Sequence, residues 1–381
     1  MALFLFLVFI SSYHFFPVTS TTTDPSCRDR FIWPFSNTSI WNTAIGDQAI
    51  YVPANIFDNA TNRRGPPMAI HNDQEWLILN DANSVVVEWK DQGGFPGSCS
   101  STGPTKATIP IPPNFTTDCV ANNNAAGILM ADNITLVSLQ PLYRGETGTA
   151  PLFAWYQRGC PQPFPWNQSI LGDGNLGAHG GSGLSSFGGS IRSGELLPNA
   201  PPITHALKLE LWATAYYYYN YSSGNYSSCY TWPAIGCDSY YNVPNVGYNG
   251  TLEYLHPGSL LAIPPSIANT TRAKLTTIPG QKIFDALVDY GGYIVDDTGS
   301  EVGGAAICME HIVNEEIKAE YGYSIAIEDP LRGDNVGAPL YWDIVTIFQN
   351  LAVVINNGPN SVGGGGVPRR PPPPPICGAD E

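Results

Sequence analysis

The sequence predicts a β-rich α+β fold: two packed antiparallel sheets, or a distorted jelly roll, with a few peripheral helices. Three observations point there. Residues 206–216 alternate with a period of two, as a strand does. Turn formers are dense, with 39 glycines and 34 prolines among 381 residues. Helical spacing of apolar residues is confined to a few short stretches near the C-terminal end.

Residues 1–20 read as a secretory signal. The run 2–10 is almost wholly apolar, and the small residues Val18, Thr19 and Ser20 follow. That run is too short to span roughly 30 Å of hydrocarbon, and no later segment is apolar enough to do so, so no transmembrane segment is expected. Residues 21–358 keep a steady composition and are expected to form a single β-rich domain. Residues 359–381 form a Gly/Pro-rich tail. In it a glycine joint at 363–366 leads into a polyproline II rod at 371–375, and Cys377 follows.

Within the body, residues 76–79 and 84–89 are expected to pair as a hairpin around Asn80, Asp81, Ala82 and Asn83. In the segment 206–216, Leu207, Leu209 and Leu211 share one face, expected to be the core side. Lys208, Glu210, Trp212, Thr214 and Tyr216 share the other, expected to be wet. Residues 282–290 carry Ile283, Phe284, Ala286 and Leu287 at helical spacing and stop at Gly291 and Gly292. A short strand at 293–295 then delivers Asp296 and Asp297. Residues 311–321 and 341–351 complete the helices.

The charge balance narrows the function. There are 17 Lys+Arg against 32 Asp+Glu, a net of −15, which argues against a nucleic-acid partner because phosphates require basic neutralisation. Eight cysteines in an exported chain read as disulfides, with Cys229 and Cys237 as one pair and Cys99 and Cys119 as another. CxxC-type spacing is absent, so no metal site and no cofactor are expected. Nine Asn-x-Ser/Thr sequons, at Asn37, Asn59, Asn114, Asn133, Asn167, Asn220, Asn225, Asn249 and Asn269, predict a glycosylated surface and a secreted, extracellular or cell-surface protein.

Residues 172–195 are the most unusual stretch, with nine glycines among 24 residues and His179, Ser182, Arg192 and Glu195 as reactive side chains. Such a backbone can approach a ligand or another strand closely. It has neither the spacing of a phosphate loop nor that of a nucleophile elbow. His205 opens the alternating strand, either as a core histidine or as an acid–base group at the mouth of a sheet. Trp212, Tyr216 to Tyr219 and Trp232 are expected to offer a platform on which sugar rings stack, with His179 as a further binding residue. Asp296 stands at a strand end as a general acid or a cation ligand, and Asp297 as a turn cap.

An ordered series of motifs runs through most of the chain: Ser39, Trp41, Asn42 and Thr43; Gly183 and Leu184 with Gly189, Ile191, Arg192 and Glu195; His205, Ala206 and Leu207; Trp232, Pro233 and Ala234; Gly258 with Leu260 and Pro264; and residues 286–296. In this series the chain resembles a group of secreted, mostly bacterial, functionally uncharacterised β-rich proteins. The resemblance implies one extended β-rich domain and supplies no activity, substrate or catalytic residue.

The function expected from these features is action on an extracellular glycan, foremost hydrolysis of a neutral one. Glu195 and Asp296 would serve as the carboxylate pair, with His205 and Arg192 beside them. A lyase would use Arg192 against a uronate carboxylate and His205 as base, but a net charge of −15 repels acidic polysaccharides. A glycan-binding module without catalysis and a structural or adhesive surface protein are the other readings.

Overall fold

The computed structural model describes residues 26–57, 70–79, 83–93, 97–119, 123–155, 167–298, 304–324 and 338–378. The expected signal segment 1–20, Asn59, residues 80–82 of the expected hairpin turn and Cys160 lie outside the described residues.

The fold is β-rich α+β, with two sheets. The strands are β1 (Tyr51–Pro53), β2 (Ile70–Ile78), β3 (Val85–Asp91), β4 (Thr105–Ile111), β5 (Ala126–Leu129), β6 (Thr135–Leu139), β7 (Leu142–Tyr143), β8 (Leu152–Ala154), β9 (Asn167–Ser169) and β10 (Leu176–His179). After these come β11 (Leu207–Leu211), β12 (Leu260–Ala262), β13 (Gly292–Asp297), β14 (Ala305–Glu310) and β15 (Ala352–Val354). The larger sheet runs β1-β15-β12-β13-β11-β14-β2-β5-β6-β9, and the smaller β4-β3-β8-β7. The sheets pack face to face through a core that joins Ile78, Ile128, Val137 and Leu139 of the first to Val87, Trp89, Ile109 and Leu152 of the second.

The large sheet is mixed, where an antiparallel one was expected. β13 runs parallel to β11, β14 parallel to β2, and β2 parallel to β5. The expected hairpin between β2 and β3 does not form. β2 is held between β14 and β5, while β3 lies in the other sheet between β4 and β8.

Among the described residues five α-helices accompany the sheets: α1 (Ala213–Tyr216), α2 (Pro265–Arg272), α3 (Ile278–Asp289), α4 (Val313–Tyr321) and α5 (Pro339–Gln349). α3 begins where the Thr277 side chain accepts from the Gly280 amide, and it buries Ile283, Phe284, Ala286 and Leu287. α3 and α5 share the main core with the apolar sides of β11, β13 and β14, including Leu209, Ile294 and Ile307.

Both faces of β11 are buried, so the wet face expected for it is absent. The strand also stops at Leu211 instead of continuing to residue 216. Asp297 Oδ1 accepts from the Ala213 amide at 2.8 Å and so caps the helical turn α1, which takes the chain out of the sheet.

Cys99–Cys119 and Cys229–Cys237 are bonded as expected, and a third bond joins Cys27 to Cys377. Cys308 is a buried free thiol, which departs from the expectation that every cysteine is paired. The residues before Cys377 pack on the body: the Arg28 amide donates to the Pro375 carbonyl at 2.9 Å, and the Gly46 amide to the Gly363 carbonyl at 3.0 Å. Among the described residues no helix is long and apolar enough to cross a membrane.

Candidate functional site

The glycine-rich segment lies across the polar side of the large sheet. Two positions show why glycine is required. A Cβ on Gly180 would stand 2.1 Å from Asp296 Cγ, and one on Gly189 would meet Trp41 and Lys208; both residues have positive φ, +54° and +78°. This close approach brings His179 down onto the sheet and closes off the charged side chains beneath it.

Those side chains come from four adjacent strands and form one buried cluster. Lys208 of β11 donates to Glu75 Oε1 of β2 and, at 3.1 Å, to the Ser185 carbonyl. His179 Nε2 lies 2.7 Å from Glu75 Oε1, 3.3 Å from Asp73 Oδ2 and 4.0 Å from Glu210 Oε1. Ser190 donates to the other Glu75 oxygen. The Cys308 thiol of β14 sits 3.6 Å from Glu210 Oε1 and 3.8 Å from His179 Nε2.

Asp296 of β13 stands opposite Glu210 in the strand register. It accepts from Asn123 Nδ2 at 2.7 Å and from the Gly181 amide at 3.3 Å. Gln140 holds the Gly180 amide at 2.6 Å.

Burial and charge act against one another in this cluster. Burial alone would raise the Glu75 carboxyl, but Lys208 and His179 outweigh it and hold it below its ordinary value. Burial and Lys208 oppose charge on His179, yet Glu75 and Asp73 win and lift it to about 9. Burial and the neighbouring carboxylates Asp73 and Asp296 push Glu210 well up.

The two carboxylates of the expected catalytic pair fall in different sets of contacts. Asp296 belongs to the cluster just described, whereas Glu195 belongs to a separate clasp. Glu195 accepts from the Arg192 amide at 2.7 Å and lies 3.3 Å from His205 Nε2. Arg192 is itself buried, its guanidinium 4.4 Å from the centre of the Phe187 ring. Lys282 of α3 donates to the Glu195 carbonyl at 3.0 Å and to the Ala200 carbonyl at 2.6 Å. These contacts lock the turn that follows the glycine-rich segment. Among the described residues no hydrogen bond or ion pair joins Glu195 to Asp296.

The aromatic residues divide as well. Tyr216 is buried in the main core, and Trp212 packs on its edge. Trp232 instead lines a separate cleft of about 470 Å³, with Tyr218, Tyr230, Tyr254, Glu253 and His256. Asn220, Ser228, Thr231, Ser259 and Asn357 add neutral hydrogen-bonding groups. His256 Nδ1 lies 3.0 Å from the Tyr218 carbonyl and Nε2 2.7 Å from the Glu253 carbonyl; burial keeps its pKa below the ordinary value, and the neutral ring donates to one of the two. Among the described lining residues there is no lysine or arginine.

Sequence reasoning missed Asp73, Glu75 and Cys308 and placed Lys208 and Glu210 in water. The available signal was the pair Asp73 and Glu75, two residues apart just before an apolar run. Of the cleft residues, Tyr218 belongs with Trp232 to the expected aromatic platform, whereas Tyr254 and His256 carried no pattern. Sequon residues 37, 114, 133, 220, 225, 249 and 269 are exposed, as acceptor sites must be. The chain matches no protein-family model, no curated protein and no solved structure.

Proposed function

We propose that this is a secreted glycan-recognition protein that binds a neutral saccharide in the Trp232 cleft. The observation that carries the reading is the composition of that lining: the four side chains Tyr218, Tyr230, Trp232 and Tyr254, neutral hydroxyl and amide groups, Glu253 as the one carboxylate, and no lysine or arginine among the described lining residues. Aromatic planes cover the C–H faces of sugar rings, and the polar groups serve their hydroxyls. The volume falls within the roughly 300–1,000 Å³ usual for small-molecule sites. Three disulfides fit an oxidising compartment, and the apolar leader and the sequons support export.

Hydrolysis, the activity foremost at the sequence level, calls for two carboxylates flanking the scissile bond. Glu253 is the one carboxylate among the described lining residues, so recognition without cleavage is the reading this geometry supports best.

The test is a glycan array of neutral and uronate-bearing oligosaccharides, followed by a reducing-end assay on the hits. Asn220 is both a sequon and a lining residue, so the array is run on the secreted protein and on Asn220→Gln. Neutral hits that weaken at least about tenfold in Trp232→Ala, with unchanged thermal stability, are expected. An array with no neutral hits, or hits indifferent to Trp232→Ala, would sink the proposal.

A further inference from the structure

We propose that the buried cluster under the glycine-rich segment is a structural metal site, in which Asp73, His179, Glu210 and Cys308 hold one zinc-class divalent cation. This site is distinct from the Trp232 cleft and does not depend on the glycan reading. The first argument is geometric. One donor atom from each of the four residues lies within 4.8 Å of all the others. Zinc bonds of roughly 2.0–2.3 Å place tetrahedral donors roughly 3.3–3.8 Å apart. His179 Nε2 is 3.3 Å from Asp73 Oδ2, 3.8 Å from Cys308 Sγ and 4.0 Å from Glu210 Oε1, and that oxygen is 3.6 Å from Sγ. Four of the six donor separations therefore stand at or near the edges of a coordination tetrahedron, and the other two, from Asp73 to Glu210 and to Cys308, lie within 4.8 Å.

The second argument is charge. Asp73, Glu75, Glu210 and Asp296 share the enclosure with one obligate cation, Lys208, which is committed to Glu75. Buried carboxylates are paired or bind metal. A divalent ion would take over the neutralising role that a protonated His179 and a protonated Glu210 otherwise fill.

The donor set, one nitrogen, one sulfur and two oxygens, suits zinc or cobalt(II) better than the all-oxygen preference of calcium or magnesium. Four protein donors leave no open position, which marks the site as structural. Asp73, the least buried donor with 16% of its side chain exposed, marks the side from which the ion enters. Binding exchanges protons only. The ion takes the Nε2 lone pair and the thiolate, and their protons leave to solvent together with any carboxyl proton on Glu210. His179 gives up its bond to Glu75, which keeps Lys208 and Ser190 as partners. The ion would tie β2, β11 and β14 to the segment that covers them.

The test uses the full secreted chain with its disulfides intact, stripped with chelator and loaded with cobalt(II). One ion per chain is expected, with tetrahedral d–d absorption and a thiolate-to-cobalt charge-transfer band. The band should vanish in Cys308→Ser, and affinity should fall at least about tenfold in His179→Gln. The wild-type spectrum decides the question even if both variants misfold. No bound ion in folded protein, or an oxygen-only octahedral spectrum from surface carboxylates, would overturn the proposal. So would a thiolate band that survives in folded Cys308→Ser.

Discussion

Lys208 and Glu75 form an ion pair across an intervening strand. Lys208 belongs to β11 and Glu75 to β2, β14 lies between them, and neither side chain reaches solvent. Removing one member of a buried pair strands the other charge, at a cost of about 3–5 kcal/mol. In Lys208→Met the Glu75 carboxylate still keeps His179 and Ser190 as partners, so unfolding stability should fall by about 1–3 kcal/mol. Adding Glu75→Gln to it should recover part of the loss. Urea denaturation with the disulfides intact measures both, and a single-variant cost under about 1 kcal/mol would show that water reaches the pair.

Gly180 makes a steric prediction. An added methyl there collides with Asp296 and also sits on a backbone of positive φ. Gly180→Ala should cost on the order of 3–5 kcal/mol, combining overpacking with backbone strain. Gly194→Ala is the matched comparison. It shares the positive φ, at +85°, but its methyl would meet nothing within 4 Å, so about 1 kcal/mol is expected. Equal melting temperatures for the two variants would contradict the close approach.

His311 sets an acid limit. Its ring stacks on Trp76 at 4.3 Å between centres, and burial lowers its pKa to about 4. The unfolded chain takes up that proton near the ordinary value of about 6.5, so the folded state binds fewer protons in between. The contribution is complete above pH 6.5 and is lost as the pH falls from 6.5 toward 4. His311→Phe keeps the ring and removes the titration. The wild type should lose on the order of 1–3 kcal/mol relative to this variant over that window. Measuring the two proteins side by side at each pH cancels the other groups, and parallel curves would rule the effect out.

Period and punctuation made much of this fold legible. α3 follows from its apolar spacing and the glycines after it, and β13 from its short apolar run. The two local disulfides follow from cysteine proximity. Lys208 and Glu210 show where such reading stops. Their alternation with leucines correctly separates two faces of a strand, but period two cannot distinguish a face in water from one under a second layer. That layer is built from residues 172–195, and its contact with β11 is long-range in the chain. β2 was read only from Trp76 onward because Asp73 and Glu75 look like loop residues until Lys208 and His179 supply their partners. Glu195 and His205 did meet, but as a clasp on a turn. Trp232 and Tyr218 belong to the aromatic platform the sequence offers, while the rest of the cleft lining comes from residues around 254 and 354, distant in the chain.

The bond between Cys27 and Cys377 turns the intervening polypeptide into a covalent ring. A protease that cuts that ring once outside the two smaller disulfide loops opens it without releasing either piece. Intact and nicked molecules would therefore travel together on a non-reducing gel and part on a reducing one, so a single cut need not mean loss of the molecule.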